Sequence, residues 1–374
     1  MDTYVVKPGD SLSKIASRIL GSPSKWRLLA ELNQMASPSL LAVGQTLKIP
    51  SIPTEAPLIV NAESGVSTPE VESVRIAVEG KTVFAIREED GQWIRIGKLH
   101  KKGLYRLGSE EPEDFIRGSS GSLTALNLTS SEINVMLATA ENEGNLDAIN
   151  TWDNHFLSFG MFQWTAGGAN ARGELAALLY RVKQEFPDTF QHYWGRYELD
   201  VAEADDSTGW LRLKGKVIKS AAEKTVLRDH VWAYRFSQAG ADKHIKAIEV
   251  AHAVGRLEQF YYRASSKLGG FSLSELITSE FGVALLLDNH VNRPGYVFGC
   301  VATAIDQCGM VPADLAQANR SDEKKVLAKY LEVRQHYGRH PMTDAMHRGM
   351  VTQRYVTQRV ISDKRGSFEY NREH

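Results

Sequence analysis

The sequence predicts an α+β protein of several domains: a small strand–helix–helix–strand module, a small β-element and a large, mainly helical domain. The chain has 374 residues, which favours two or three domains over one. Residues 51–72 are rich in Pro, Ser, Glu and Thr and lack hydrophobic periodicity, so they read as a linker. Helical periodicity dominates from about residue 120 onward. We therefore divide the chain into residues 1–50, 51–72, 73–120 and 121–374.

The overall charge restricts the partners that the chain is expected to bind. Its 44 basic and 45 acidic residues give a net charge of −1, and 24% of the residues are charged. This balance predicts neither nucleic-acid binding nor attraction to an anionic membrane. A neutral sugar polymer is compatible with it.

Targeting signals and metal motifs are not evident in the sequence. The chain opens directly on a folded module, so we expect synthesis in the cytoplasm without a secretory signal. No apolar run has the length that membrane insertion needs. Cys300 and Cys308 are expected as free thiols, with a local disulfide as the alternative. No His/Cys cluster has zinc spacing, so we predict no metal site and no cofactor.

The first fifty residues have the pattern of a compact unit. Residues 4–7 and 46–50 read as strands, and the apolar residues between them lie at helical spacing. Two helices are therefore expected between the strands. Their core-facing residues are Leu12, Ile15, Ala16, Ile19, Trp26, Leu29, Ala30 and Leu32.

This unit resembles a LysM domain over its whole length. The resemblance lies in the opening Tyr-Val-Val-Lys-Pro-Gly-Asp-Ser-Leu-Ser-Lys-Ile-Ala and the closing Gly-Gln-Thr-Leu-Lys-Ile-Pro. LysM domains bind N-acetylglucosamine polymers in a shallow groove between two loops. The resemblance therefore implies sugar contacts from Gly9, Asp10, Ser11, Leu12 and Asn33. The alternative is that these residues only form the turn and the helix cap.

Residues 73–120 predict a small β-element. Runs 74–78, 82–86 and 93–97 have strand composition, and Glu89-Asp90-Gly91 indicates a hairpin turn. We expect this element to be a structural spacer. The alternative is a wall-binding, SH3-like domain.

The rest of the chain reads as one α-rich domain. Thr129, Ser130 and Glu132 have cap chemistry, followed by a stripe of Ile133, Met136, Leu137 and Ala140. Later helices are expected over residues 172–186, 221–236, 242–266, 273–289, 322–337 and 343–363.

Glu141 is the candidate catalytic acid. It follows Ala140 near the C-terminal end of an apolar helix, where partial burial and the helix dipole both disfavour the charged carboxylate. Protonation of a glycosidic oxygen needs a carboxylic acid that is still protonated at working pH. Glu143 is the rival, and a surface glutamate is the alternative for either residue.

The segment that begins at Glu141 resembles two groups with a lysozyme-like fold. Glu141, Asn145 and Ala148 match the catalytic segment of goose-type lysozymes and lytic transglycosylases, and residues 158–163 resemble their cleft-lining turn. Glu143 and Leu146 depart from that pattern. Ala140-Glu141-Asn142 also resembles the context of the catalytic acid in family 46 chitosanases, which invert. Residues 228–231, 253–262 and 330–334 resemble later segments of that family.

The chitosanase resemblance implies a second carboxylate. Asp153 lies five residues before Ser158, as that family's base lies before a threonine that helps hold the water. Asp153 is therefore the candidate base, with a polar turn as the alternative. Ser158, Gln163 and Trp164 are candidate cleft residues, although a tryptophan as readily fills a core. Residues 288–295 either line the far wall of the cleft or simply form the end of a helix. Asp147 is expected either to cap a helix or to form an ion pair.

These observations predict a glycoside hydrolase that cleaves β-1,4 bonds of a wall polymer. The main hypothesis is a lysozyme-like muramidase held on peptidoglycan by its LysM module and released by phage lysis or delivered by injection. A delivery machine or an immunity protein is then a further partner. The alternatives are a chitosanase or chitinase-like enzyme on a chitin-type glycan, a lytic transglycosylase, and an inactive wall-binding component of a phage or injection apparatus.

Overall fold

The computed structural model describes residues 2–7, 12, 15, 29–30, 32–33, 35, 41–49, 74–87, 90–317 and 320–371. In the N-terminal module, strand β1 (Asp2–Val5) pairs antiparallel with strand β2 (Thr46–Ile49). The register joins Asp2 to Ile49 and Val5 to Thr46, so the two ends of the module lie side by side. The strands that the sequence predicts at both ends are confirmed. The predicted linker, residues 51–72, lies outside the described residues.

The module has its own small hydrophobic core. Among its described residues, the buried members are Val6, Leu12, Ile15, Leu29, Ala30, Leu47 and Ile49. Four of these, Leu12, Ile15, Leu29 and Ala30, are residues that helical spacing assigns to the core, and the structure confirms them. A core of this size is small, so the antiparallel strand pair contributes to holding the module together.

A second sheet continues from the predicted β-element into the helical region. In the described part of the chain it has seven antiparallel strands in sequence order. They are β3 (Ile76–Glu79), β4 (Thr82–Ile86), β5 (Trp93–His100), β6 (Gly103–Arg106), β7 (Ile149–Asn150), β8 (Ser158–Phe159) and β9 (Trp164–Thr165).

The boundary that we predict at residue 120 therefore falls within a continuous structure. Strand β6 pairs with β7 through Tyr105↔Asn150 and Arg106↔Ile149. Val83 and Leu104 belong to the same buried cluster as the helices that follow. Residues 74–106 are thus packed into the larger unit, because the apolar faces of their strands are covered by its helices.

A third, smaller sheet was not expected from the sequence. Strands β10 (Leu199–Ala204), β11 (Gly209–Leu213) and β12 (Lys216–Val217) form an antiparallel meander. Leu199 and Leu211 point into the main core, whereas most of the other residues in these strands are partly or fully exposed. The sequence of these three strands does not show clear alternation of apolar and polar residues, because few of their side chains are buried.

Fifteen helices are bounded within the described residues, and they surround the main core. They are α1 (Pro112–Gly118), α2 (Ser120–Thr124), α3 (Ser130–Ala140), α4 (Glu174–Glu185), α5 (Pro187–Tyr193), α6 (Ala221–Lys224), α7 (His230–Ala239), α8 (Lys243–Gly255), α9 (Leu257–Phe260), α10 (Leu273–Leu276), α11 (Glu280–Asn292), α12 (Val297–Gln307), α13 (Pro312–Ala316), α14 (Arg320–Val333) and α15 (Ala345–Thr357). The mixed α+β fold class is as predicted.

Caps explain where the helices depart from the prediction. The helix expected over residues 221–236 is interrupted, because the Asp229 carboxylate accepts from the Val231 amide and starts α7 there. The helix expected over residues 273–289 divides in the same way, because Ser279 Oγ accepts from the Gly282 amide at 3.1 Å. Helix α12 was not predicted. The cap of α3 is as predicted, with Thr129 and Glu132 forming a reciprocal capping box.

None of the helices in the described residues combines sufficient length with sufficient apolar character to cross a membrane.

Candidate functional site

Glu141 lies at the C-terminal cap of α3, as the sequence predicts. Helix α3 is buried along most of its length, and its last residue, Ala140, is 1% exposed. The Glu141 side chain itself is 24% exposed. Its carboxylate forms an ion pair with Arg354 and accepts a hydrogen bond at 2.9 Å from the Tyr355 hydroxyl. Glu141 is therefore held against α15 as a charged, partly exposed group.

Glu143 has a different environment, two residues farther on. Its side chain is 9% exposed, and Oε1 contacts the Arg348 guanidinium. Arg348 Nε also donates to Asp288 Oδ1 at 2.8 Å, and Arg334 Nη1 donates to Asp288 Oδ2 at 3.0 Å. Asp288 and Arg334 are fully buried. Glu143 is thus the outer end of a buried chain of alternating carboxyl and guanidinium groups that crosses α15, α11 and the end of α14.

Burial dominates the acidity of Glu143. Loss of solvent and, to a smaller degree, the negative charge of Asp288 raise its pKa to about 8, although the attraction of Arg348 opposes the shift. Among the described residues, no donor hydrogen-bonds the second oxygen, Oε2. Glu143 is therefore protonated at neutral pH, with one oxygen fixed by Arg348 and the other available for a proton.

A tight turn packs beside this segment. The Gly144 amide donates to the Met161 carbonyl at 3.1 Å, and the Met161 amide donates to Glu249 Oε2 at 3.0 Å. Gly160 has a φ of +79°, and a Cβ there would collide with the Glu249 carboxylate. Gln163 adopts a φ of +52°, which is uncommon for a residue other than glycine. The turn at residues 160–163 is thus closely fitted against both the Glu143 segment and α8.

Asp153 lies in the loop between β7 and β8. Its Oδ2 accepts from Asn150 Nδ2 at 2.8 Å, and its Oδ1 accepts from the His155 amide at 2.8 Å. Arg228 donates to the main-chain oxygens of Thr151 and Asp153 and so fixes the loop. The Asp153 side chain remains 26% exposed. Its carboxylate shapes a polar turn and still reaches solvent.

The structure places the three expected cleft residues in different surroundings. Ser158 is 2% exposed, in β8. Gln163 is half-buried and donates from Nε2 to the Gly160 carbonyl at 2.9 Å. Trp164 is 1% exposed and packs against Phe162 and His252, with ring centroids 5.6 Å away in both cases. Trp164 is thus a core residue, and the expectation that it stacks on a sugar is corrected by its burial.

Asp147 has a structural role. Its Oδ1 accepts from the amides of Ser109 and Glu110 at 2.6 and 2.9 Å, and its Oδ2 forms an ion pair with Arg106 at 2.5 Å. Burial opposes ionisation, but Arg106 and the two amides hold the pKa of Asp147 below its ordinary value. Asp147 fastens the sheet to the segment after α3, which is the alternative considered from the sequence.

Two of the residues expected to contact sugar in the N-terminal module serve its fold. Leu12 is 2% exposed in the module core. Asn33 Nδ2 donates to the carbonyls of Leu29 and Lys48 at 2.8 and 2.9 Å, and the Lys48 amide donates to Asn33 Oδ1 at 2.7 Å. The Asn33 amide therefore ties β2 to the preceding segment. The other three, Gly9, Asp10 and Ser11, lie outside the described residues.

Sequence reasoning missed the hydrogen-bonding and ion-pair partners of the two glutamates. Arg348, Arg354 and Tyr355 all lie on α15, more than 200 residues after Glu141 in the chain. The stretch around His347 looks solvated because basic and polar residues are frequent in it. A signal was nevertheless present: Arg348, Thr352 and Tyr355 recur at helical spacing and form the partly or fully buried face of α15.

Within the described residues, no group of three or more His, Cys, Asp or Glu side chains is placed to hold a metal ion. Cys300 and Cys308 are free thiols, and burial raises the pKa of Cys300 to about 11. Glu141, Glu143 and Asp153 supply carboxyl groups, which can donate or accept protons.

Comparisons with known proteins define the N-terminal module as a carbohydrate-binding domain. The family model of the LysM domain matches residues 4–50, so this part of the chain is a LysM domain. Domains of this family bind peptidoglycan or chitin-type glycans. An uncharacterized protein of Deinococcus radiodurans is 47% identical over 47 residues, which is 13% of this chain and 19% of that relative. The chain thus covers about a fifth of that relative's length. No solved structure matches the chain.

Proposed function

We propose that this protein is a cell-wall glycan hydrolase in which the LysM domain holds the polymer and the region after residue 120 cleaves it. The arrangement behind this proposal is local. A buried helix, α3, ends at a pair of glutamates, and short antiparallel strands follow at once. The segment 141–149 that resembles lysozyme-like enzymes forms this junction, and two of its carboxyl groups, Glu141 and Glu143, contact helix α15.

The observation that carries the proposal is the environment of the Glu143 carboxyl group, which is buried and has a raised pKa. A general acid in glycoside hydrolysis needs a raised pKa and a free oxygen directed at the leaving group. Glu143 has a pKa of about 8 and an Oε2 without a hydrogen-bond donor among the described residues. We therefore favour Glu143 over Glu141 as the proton donor. This choice revises the assignment based on sequence, in which Glu141 occupied the matching position.

Arg348 fits the second half of such a reaction. When Glu143 gives its proton to the glycosidic oxygen, the bond from that oxygen to the sugar carbon breaks and Glu143 becomes a carboxylate. The Arg348 guanidinium, already in contact with Oε1, stabilises that negative charge. Asp288 fixes Arg348 from behind, which lowers the cost of organising the site during the reaction.

The other two carboxylates have narrower roles in this proposal. Glu141 is ion-paired with Arg354 and retains an exposed edge, so it is suited to contact substrate hydroxyl or amide groups. Asp153 remains the proposed base that takes a proton from the attacking water. Its two hydrogen bonds orient the carboxylate and leave it partly exposed. Water attack with a separate base gives hydrolysis with inversion and ordinary reducing ends.

Product analysis tests the proposed function. Purified full-length protein is incubated with peptidoglycan, chitin and chitosan, and soluble products are analysed by mass spectrometry. Release of muropeptides with reducing ends from peptidoglycan alone supports a muramidase. Products from chitosan or chitin assign the alternative hydrolase, and 1,6-anhydro ends assign a lytic transglycosylase. Binding to the insoluble polymers without release of any product would support the alternative of an inactive wall-binding component.

The site of action follows from the substrate. A peptidoglycan hydrolase acts at the wall, and we propose delivery by phage lysis or by an injection machine. A neutralising immunity protein in the producing cell is then expected to cover the Glu143 site.

A further inference from the structure

We propose that the tip of the β5–β6 hairpin binds acidic groups of the substrate beside Asp153 and so selects an anionic glycan. The tip is the turn Lys101-Lys102, which lies between the paired residues His100 and Gly103. This inference rests on the proposed function, because it takes the Asp153 loop as part of the substrate cleft. Its test is a measurement of binding and does not need turnover.

The hairpin tip is fixed against the loop that carries Asp153. The Leu104 amide donates to Thr151 Oγ1 at 2.9 Å, and the Thr151 amide donates to the Leu104 carbonyl at 2.9 Å. A Cβ on Gly103 would collide with the Thr151 carbonyl oxygen, so only glycine fits this close approach. The tip and the loop therefore keep a defined relative position.

Two lysines of the tip reach the residues that flank Asp153 in the chain. Lys101 Nζ lies 4.1 Å from the ring centroid of Trp152, and Lys102 Nζ donates to Asn154 Oδ1 at 3.2 Å. Both contacts are with neutral groups, so they position the ammonium groups without neutralising their charge. Two positive charges thus lie beside the proposed base.

The surface of this hairpin has a net positive charge. Lys98, Lys101 and Lys102 are exposed, and within the described residues none of them forms an ion pair. Glu79 lies in the same cross-strand row as Lys98, but Thr82 separates them by two strand spacings, or roughly 10 Å. The ammonium groups of the tip are therefore available to an anionic ligand.

This distribution of charge indicates which glycans are favoured. Asp153 repels an acidic group placed directly over it, so we expect the acidic groups of the substrate on the hairpin side, against Lys101 and Lys102. Muramyl units and their peptides supply carboxylates, and teichoic-type polymers supply phosphates. The shared chemistry is an anionic group on a sugar or polyol chain. A glucosamine polymer is cationic and meets repulsion at the same place, so the tip disfavours chitosan.

The test is isothermal titration calorimetry on the full-length protein, in which the LysM domain is the same for every variant. The hairpin variant is Lys101→Gln with Lys102→Gln. The matched control is Lys214→Gln with Lys267→Gln, both at exposed positions. Lys214 also lies in a hairpin turn, between β11 and β12, and has the same φ of +49° as Lys101.

The probes differ mainly in charge. They are an N-acetylglucosamine–N-acetylmuramic acid tetrasaccharide with free lactyl carboxylates, a glycerol-phosphate oligomer, neutral chitotetraose, a glucosamine tetramer and a single-stranded DNA oligomer. Titrations are made at low ionic strength, because salt screens exposed charges.

The hairpin variant should bind at least one of the first two probes about threefold more weakly than the wild type, or weaker still, because each exposed charge contributes modestly. The better binder of the two identifies the carboxylate or the phosphate source. Affinity for chitotetraose should be unchanged. Affinity for the glucosamine tetramer should be equal or higher, since repulsion is removed. The control variant should match the wild type for every probe.

The proposal is overturned if neither anionic probe binds the wild type, or if the hairpin variant binds both of them as the wild type does. It is also overturned by an equal loss in the control variant, by an equal loss for chitotetraose, or by a larger loss for DNA than for both anionic probes. Failure of the proposed function is a different result. The expected binding changes without any product from peptidoglycan would refute the hydrolase and retain the anion-selective surface.

Discussion

Arg348 and Asp288 form a buried ion pair, with Arg348 Nε 2.8 Å from Asp288 Oδ1. The same guanidinium contacts Glu143, so one arginine connects a fully buried carboxylate to a nearly buried one. Two carboxylates that share one arginine repel each other, and burial strengthens that repulsion. Burial is the main reason why the pKa of Glu143 is raised, and the charge of Asp288 adds to that effect.

The first prediction concerns stability against pH. The pKa of Glu143 is about 8 when folded and 4.5 as its ordinary value, so the folded state binds more protons between those values. The free energy of unfolding should therefore fall as pH rises from about 4.5 to about 8, by at most about 1.4 kcal/mol per pH unit. Glu143→Gln should remove this component of the slope. Urea unfolding at a series of pH values measures it, and an identical slope in both proteins would refute the proton assignment.

The second prediction concerns the centre of the charge chain. Asp288→Asn leaves Arg334 and Arg348 without their shared carboxylate and should destabilise the fold by about 3–5 kcal/mol. It also removes a negative charge that raises the Glu143 pKa, so that pKa should fall. The first effect is measured by chemical denaturation. The second appears as a shift of the alkaline limb of the pH–activity profile to lower pH, which a purely structural Asp288 would not cause.

The third prediction concerns the turn beside the site. Gly160 and Gly215 have nearly equal positive φ values, +79° and +75°, but only Gly160 is crowded by neighbours. Gly215→Ala should cost about 1 kcal/mol from backbone conformation alone. Gly160→Ala should cost clearly more, because its methyl group collides with Glu249 and the Trp164 ring. Comparable midpoints of denaturation for the two variants would show that the turn relaxes freely.

The fourth prediction separates binding from cleavage. Removing residues 1–50 should weaken retention on insoluble peptidoglycan, because the tethered LysM domain raises the local concentration of polymer. Cleavage of short soluble oligomers should be preserved, since the module has its own core. Pull-down on insoluble wall and product release from soluble oligomers measure the two effects. An equal loss in both would place the module within the active site.

Local patterns in the sequence predicted local structure well. The cap at Thr129, the buried stripe of α3 and the strands of the LysM domain depend on neighbouring residues, and all of them are found. The sequence also indicated the segment 141–164 as the candidate site. It could not distinguish Glu141 from Glu143, because the difference lies in their partners on α15.

Long-range packing explains the rest of what was missed. The continuation of the β-element into β7 depends on a pairing of residues 105 and 150, which no local pattern reveals. Trp164 reads equally well as a sugar platform or a core residue, and only its contacts with Phe162 and His252 decide the matter. The structural role of Asn33 is likewise evident only from its hydrogen bonds to the main chain of Lys48.

The most direct measurement of the central claim compares Glu143→Gln with Glu141→Gln on purified peptidoglycan. Glutamine has the shape of glutamic acid but cannot donate the proton, so Glu143→Gln should lower the rate of product release by about 10²–10⁴-fold. Glu141→Gln should retain a larger share of activity and mainly weaken substrate binding. Circular dichroism and binding to insoluble wall serve as controls for folding in both variants. Near-normal turnover by Glu143→Gln, with inactivation of Glu141→Gln, would contradict the account and restore Glu141 as the acid.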